Sequence, residues 1–81
     1  MSTYSRIQDI VKAFGLDDDY AFVIYETFQQ THAQSKDNQW AALRRNLNNV
    51  GLKATTTAFN AYNQVAVRVQ AEANNRLFAR M

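Results

Sequence analysis

Apolar residues recur along most of the chain at the three- and four-residue spacing of amphipathic helices. Short polar segments separate four such stretches, and the chain has two glycines and no proline to interrupt them. Because glycine and proline are the strongest helix breakers, this pattern predicts an all-α fold. We expect a single small helical domain over residues 1–81, with three short helices packed along a long C-terminal helix.

The first two predicted helices meet at a glycine. The segment from Ser5 to Gln8 fits a capping box, in which each of the two side chains satisfies a free backbone N–H group near the other. Gly15 can end helix 1 in a Schellman closure, with Leu16 folding back on Val11. The apolar face predicted for this helix consists of Ile7, Ile10, Val11 and Phe14.

Three consecutive aspartates introduce the second helix, which we predict from about Asp18 to Ala33. Asp17 is expected to cap it, and the next two carboxylates suit its first turn, where the helix dipole favours negative charge. We prefer this interpretation to a metal site because a calcium loop spreads its ligands over a longer segment. His32 is expected to interact with the helix C-terminus or with solvent. The core-facing residues predicted for helix 2 are Ala21, Ile24, Tyr25 and Phe28.

The third helix is expected to follow a polar break at residues 35–38, with Asp37 or Asn38 as its cap. Gly51 is predicted to end this helix in the way that the first glycine ends helix 1, with Leu52 closing on the last turn. The core-facing residues predicted for helix 3 are Trp40, Leu43, Leu47 and Val50.

Helix 4 is predicted to start after a threonine cap between Thr55 and Thr57 and to run to the C-terminus. At up to about 24 residues it would span roughly 36 Å, which makes it the longest element. A second apolar set, Val67, Ala71 and Phe78, lies on another side. The main apolar set has the 3-4 spacing of a helix–helix seam, and we expect its members to divide between the core and a contact between subunits. This predicted self-association seam consists of Phe59, Tyr62, Ala66, Val69, Ala73 and Leu77.

Charge is distributed unevenly along the chain, although the net charge is only +2. Residues 1–37 carry three cationic and six acidic side chains, a balance of −3, whereas residues 38–81 carry six cationic and one acidic, a balance of +5. A basic half suggests contact with nucleic acid, and halves of opposite charge also suit head-to-tail packing between copies. The candidate nucleic-acid contacts are Arg44, Arg45, Lys53, Arg68, Arg76 and Arg80.

A helix-turn-helix made of helices 3 and 4 would place helix 4 in the major groove of DNA. Helix 4 is too apolar for such a position, its first turn offers no arginine, and its arginines are spread along its length. DNA binding through the basic half is therefore the second hypothesis, not the first.

The sequence lacks the residue patterns of enzymes. It contains no cysteine, no histidine placed beside a serine and a carboxylate, and no glycine-rich phosphate loop. We therefore expect a non-enzymatic protein with no cofactor, no metal and no small-molecule substrate. Neither a signal peptide nor a membrane span is predicted, so the expected location is the cytoplasm.

The first hypothesis is a small protein-interaction or assembly module that self-associates through helix 4. Several alanines along that helix would let a partner helix approach closely, and the many amide and hydroxyl side chains give an uncharged polar surface. Small helical proteins without cysteine are common among phage and plasmid accessory factors, such as scaffolds and inhibitors, although this is an analogy of fold alone. The alternative is a small DNA-binding transcriptional regulator that uses the basic C-terminal half.

Overall fold

The computed structural model describes the backbone of residues 3–48 and 50–79 and the side chains of residues 3–48 and 50–72. Within these residues the chain forms helices joined by short turns, and no strand occurs among them. The all-α prediction, with three short helices and a long C-terminal one, is confirmed. The helices are α1 (Thr3–Ala13), α2 (Asp19–Thr31), α3 (Lys36–Asn46) and α4 (Leu52–Ala79).

Helices α2 and α4 form the middle of the bundle. Each packs against all the other helices, whereas α1 and α3 do not pack against each other over the described residues. The two shorter helices α1 and α3 therefore flank the α2–α4 pair, and the core lies where side chains from all four elements meet. Among the most deeply buried apolar side chains are Ile7, Val11, Ile24, Leu43, Tyr62 and Val65.

The turn between α1 and α2 has the closure that the sequence predicts. Gly15 has a φ of +72°, in the left-handed region that favours glycine. The N–H of Leu16 donates to the carbonyl of Val11 at 3.0 Å, and the N–H of Gly15 donates to that of Lys12 at 3.0 Å. These two bonds make a Schellman motif, and Leu16 packs against the core as expected.

The predicted N-terminal caps of α1 and α2 were wrong. Helix α1 begins at Thr3, so Ser5 lies inside the helix and no capping box starts there. Gln8 instead donates from Nε2 to Oδ1 of Asp18 at 3.1 Å. Asp18, not Asp17, precedes the first residue of α2, and its side chain makes no cap hydrogen bond. The Asp18 carboxylate thus ties the start of α2 to α1.

The predicted limits of the turn between α2 and α3 were also displaced. Helix α2 ends at Thr31, two residues before Ala33. Ser35 caps α3, and its Oγ accepts a hydrogen bond from the N–H of Asn38 at 3.3 Å. Asp37 and Asn38 therefore lie in the first turn of α3. Serine, aspartate and asparagine all suit an N-cap, and the structure uses the first of the three.

Gly51 was predicted to end α3, but in the structure it directly precedes the first residue of α4. Helix α3 ends at Asn46, and Asn48, with a φ of +50°, takes the left-handed position predicted for Gly51. Asparagine is the residue other than glycine that most readily adopts this conformation. Helix α4 starts at Leu52, which is exposed and does not close on α3. The Gly51 carbonyl accepts the N–H of Thr55 at 3.1 Å.

The three consecutive threonines lie inside α4 and do not cap it. The hydroxyls of Thr55, Thr56 and Thr57 donate to carbonyls four residues earlier, at 2.7, 2.9 and 3.1 Å respectively. This local bonding satisfies a threonine within a helix, so α4 begins one turn earlier than predicted. The chain between the two helices is correspondingly short, and Val50, predicted for the core-facing side of α3, is exposed in it.

Candidate functional site

The residues of the predicted self-association seam are divided between the core and the surface. Tyr62 is completely buried, and Phe59 is half-buried with its ring stacked on that of Tyr62 at 5.9 Å between centroids. Ala66 is half-buried, and Val69 is 38% exposed. The last two members lie outside the residues whose side chains the structure describes: Ala73 and Leu77.

The division follows from where α2 ends and α3 begins. The hydroxyl of Tyr62 lies 3.0 Å from Oγ1 of Thr31, the last residue of α2. Lys36, the first residue of α3, donates from Nζ to Oδ1 of Asn63 at 2.7 Å. The last residue of α2 and the first residue of α3 thus lie at the level of Tyr62 and Asn63 on α4, and α3 runs from there toward the start of α4, where Trp40 packs on Phe59.

Beyond that level, α1 lies beside α4 on one side. Arg6 of α1 forms an ion pair with Glu72. Nearer the middle of α4, Arg68 lines a groove together with Asp9 and Phe14 at the α1–α4 contact. On the side that faces α3, helix α4 continues beyond the first residue of α3.

The core-facing stripe of apolar residues on α4 therefore continues from buried positions into partly exposed ones. Val65 is 2% exposed, whereas Val69, four residues later on the same face, is 38% exposed. Ala66 and Gln70 lie beside this stripe and line a shallow groove that Lys36 borders. We call Ala66, Val69 and Gln70 the open face of α4. None of its three side chains carries a charge.

The cationic residues predicted for nucleic-acid contact do not form one surface. Arg44, Arg45 and Lys53 are exposed around the joint between α3 and α4. Arg68 lies near Asp9 on the α1 side, about 22 Å along α4 from Lys53 at the standard helical rise. The side chains of the other two candidates lie outside the described residues: Arg76 and Arg80.

Two adjoining grooves at the α3–α4 joint share Arg44. None of the described residues that line them is acidic, and Arg44, Arg45 and Lys53 form no ion pair with any described residue. We call this region the basic joint and define it by the groove residues Trp40, Ala41, Arg44, Arg45 and Asn48 together with Lys53, which is exposed at the start of α4 and does not line the grooves.

A line of buried polar groups joins α2, α3 and α4. Oγ1 of Thr31 donates to the carbonyl of Thr27 at 2.6 Å and lies 3.0 Å from the Tyr62 hydroxyl. Asn46 donates from Nδ2 to Oγ1 of Thr27 at 2.9 Å. Because buried polar groups need partners, these bonds fix α3 and α4 relative to α2. Sequence reasoning missed them, although threonines at positions 27 and 31 continue the apolar face of α2 and could have indicated a buried polar pair.

Gln39 of α3 forms hydrogen bonds to the backbone at the C-terminal end of α2. Its side chain is 5% exposed, and its Nε2 donates to the carbonyls of Thr31, His32 and Gln34 at 3.1, 3.4 and 3.2 Å. These carbonyls belong to the last turn of α2 and the residues after it, where intrahelical donors run out. Its Oε1 has no hydrogen-bond partner among the described residues. Sequence reasoning also missed this residue.

Burial raises the pKa of Tyr62 above its ordinary value of 10.0, and the hydrogen bond with Thr31 partly opposes this rise. A raised pKa in the folded state means that folding favours the neutral phenol. The contribution of the neutral Tyr62 phenol to the free energy of unfolding is complete below pH 10 and is lost as the pH rises through the folded-state pKa.

We expect the free energy of unfolding, measured with urea at pH 9 and pH 11, to fall less for Tyr62→Phe than for the wild type. Equal falls in the two proteins would contradict the assignment.

No constellation suited to metal binding occurs among the described residues, which contain no group of three or more histidine, aspartate or glutamate side chains placed to hold an ion. His32 lies at the end of α2, with Nδ1 3.1 Å from the carbonyl of Phe28 and its ring stacked on the Phe28 ring at 5.3 Å. The predicted interaction of His32 with the helix C-terminus is confirmed.

Over the part of the chain that the structure describes, none of the helices combines the length and hydropathy needed to cross a lipid bilayer. Comparisons of the chain with protein-family models, curated proteins and solved structures found no match. The open face of α4 and the basic joint are the candidate functional surfaces of the described residues.

Proposed function

We propose that this chain is a non-enzymatic protein-interaction module that self-associates through the open face of α4. One observation carries the proposal: the core-facing stripe continues from Val65, which is 2% exposed, to Val69, which is 38% exposed. A second helix laid along this stripe would bury the part of Val69 that the single chain leaves exposed. Such a module needs no cofactor, and we place it in the cytoplasm.

Burial of apolar surface provides the driving force for this contact. Burial of a fully exposed valine side chain contributes about 1.5–3 kcal/mol, so Val69, which is 38% exposed, would contribute about 0.5–1 kcal/mol from each copy in a two-fold contact. Ala66 is small, so it lets a second helix backbone come close to α4. The contribution is modest for each residue, which makes association dependent on the length of helix that the two copies share.

The open face suits a second copy of the chain as its occupant. Ala66, Val69 and Gln70 carry no charge, so two identical faces can meet without like-charge repulsion. A stable interface commonly buries about 800 Å² on each partner, more than these three residues supply. The backbone of α4 continues as a helix to Ala79, about two turns beyond Glu72.

Replacing Val69 with aspartate is expected to abolish self-association, because a carboxylate would have to be buried in an apolar contact. Sedimentation equilibrium across the micromolar range should give a wild-type mass rising above 9.3 kDa and a Val69→Asp mass that remains near it. Circular dichroism should give closely similar helix content for the two proteins, since Val69 is partly exposed in the single chain.

Gln64→Asp is the matched control, because it places the same charge five residues before Val69 on a different side of α4. Gln64 is exposed and lines the groove at the α1–α4 contact, and residues five apart on an α-helix point roughly 140° apart. We expect this variant to associate like the wild type. The proposal fails if the wild type stays monomeric at the highest concentration, or if Gln64→Asp dissociates the protein and Val69→Asp does not.

A further inference from the structure

We infer that the basic joint binds the phosphate backbone of duplex DNA. This site is distinct from the open face of α4 and does not rest on the proposed self-association. Arg44 and Arg45 lie in the last turn of α3, and Lys53 is the second residue of α4. The short turn between the two helices brings these three cations to the same end of the bundle.

The charge of the basic joint is available to an outside partner. None of its three cations is paired with a described carboxylate, and no acidic side chain lines the grooves between them. The nearest acidic residue along α3 is Asp37, about 10 Å from Arg44 at the standard rise. Lys36 precedes Asp37 at the N-terminal end of α3, so the excess of positive charge on this helix lies at its C-terminal end. The nearest acidic groove residue there, Glu26, lines a separate groove with Asn46.

The shape of this surface favours a duplex over a single strand. Because α3 packs on α2 and α4 but not on α1, its outer side is exposed, and the two grooves of the basic joint are indentations of this side. Exposed helices fit against the grooves and backbone of duplex DNA, whereas proteins bind single strands in channels with stacked aromatic rings. The aromatic residue here, Trp40, is half-buried and packs edge-on against Phe59 at 5.4 Å.

The arrangement indicates binding to phosphates and not the reading of bases. A recognition helix contacts base edges with its N-terminal residues, and α3 presents Asp37 there. The hydrogen-bond donors near the cations, including the Asn48 side chain, suit phosphate oxygens. The site also differs from the one predicted from the sequence, since α4 is a core helix and Arg68 lies far from the joint.

Salt dependence is the direct test. Three phosphate contacts give a slope of about −2.7 for log K against log salt, so affinity should fall about 40-fold between 50 and 200 mM salt. The probe is a fluorescently labelled 20-base-pair duplex of mixed sequence, followed by anisotropy. Trp40 is the single tryptophan and lines the groove, so its emission should change over the same titration with unlabelled duplex.

The double variant Arg44→Gln with Arg45→Gln should retain the helix content and reduce the slope to about −0.9. Arg68→Gln, which removes an exposed charge away from the joint, is the matched control and should bind like the wild type. Val69→Asp should also bind with an unchanged slope, which separates this site from self-association.

Three results would each overturn the inference. The first is no duplex binding at 20 mM salt, which would leave an acidic protein surface as the better partner for the basic joint. The second is an equal loss of affinity for Arg68→Gln and the double variant. The third is tighter binding to a labelled single strand of the same length than to the duplex.

Discussion

Replacing Tyr62 with alanine is expected to lower the free energy of unfolding by about 3–5 kcal/mol. Among the described residues Tyr62 is the largest completely buried side chain, and its ring lies 5.8 Å from that of Phe28 and 5.9 Å from that of Phe59. Removing it empties the centre of the bundle, where α2 and α4 meet. A domain of 81 residues has a total stability of about 4–12 kcal/mol, so a large share would be lost.

Urea unfolding followed by circular dichroism measures this loss. Tyr62→Phe is the control, because it keeps the ring and removes the hydroxyl that lies 3.0 Å from Oγ1 of Thr31. Thr31 still donates to the Thr27 carbonyl in that variant, so we expect a cost of about 1 kcal/mol. A loss below 1 kcal/mol for Tyr62→Ala would mean that the core is not built around this ring.

Replacing Gln39 with glutamate should destabilise the fold strongly at pH 7, although the two side chains have nearly the same shape. The Nε2 group donates to three carbonyls at the end of α2, and a carboxylate in its place would put negative charge against their oxygens. An uncompensated buried charge costs about 3–5 kcal/mol. The negative end of the α2 dipole adds to this cost.

The Gln39→Glu variant should recover much of its stability in acid. Burial among carbonyl oxygens raises the pKa of this carboxyl, so its favourable contribution is present below the ordinary glutamate pKa and is lost as the pH rises. The stability difference from the wild type should therefore be smaller at pH 4 than at pH 7 in urea unfolding. Gln64→Glu, at an exposed position of α4, should change stability by no more than about 0.5 kcal/mol at either pH. A difference independent of pH would refute the bonding assigned to Gln39.

Local chemistry made one turn of this fold predictable from the sequence and left another ambiguous. At the end of α1, Gly15 is the residue best suited to a left-handed conformation, and the structure uses it. At the end of α3, Asn48 and Gly51 both suit that conformation, and the chain uses the earlier one to end the helix. The threonines that follow can cap a helix or lie within it. In the structure they lie within the helix, and Thr55 is buried in the packed bundle. The sequence alone does not reveal that packing.

The candidate surfaces were predictable in pattern but not in extent. The 3-4 spacing correctly places Phe59, Tyr62, Ala66 and Val69 along one side of α4. Which of them are buried depends on where α2 and α3 stop, and the predicted caps were displaced at those limits. The charge balance of residues 38–81 likewise identified the cations of the basic joint. It grouped them with Arg68 because a count of charges does not include the distances between residues along a helix.

The absence of packing between α1 and α3 gives the bundle a separable part. Helix α1 is held by α2 and α4 alone, so it can open as a unit while α2, α3 and α4 keep their mutual contacts. Opening would break the Arg6–Glu72 pair and uncover Val65. Two chains opened in this way could exchange their first helices, so domain swapping is a second route by which the same long helix acquires a partner.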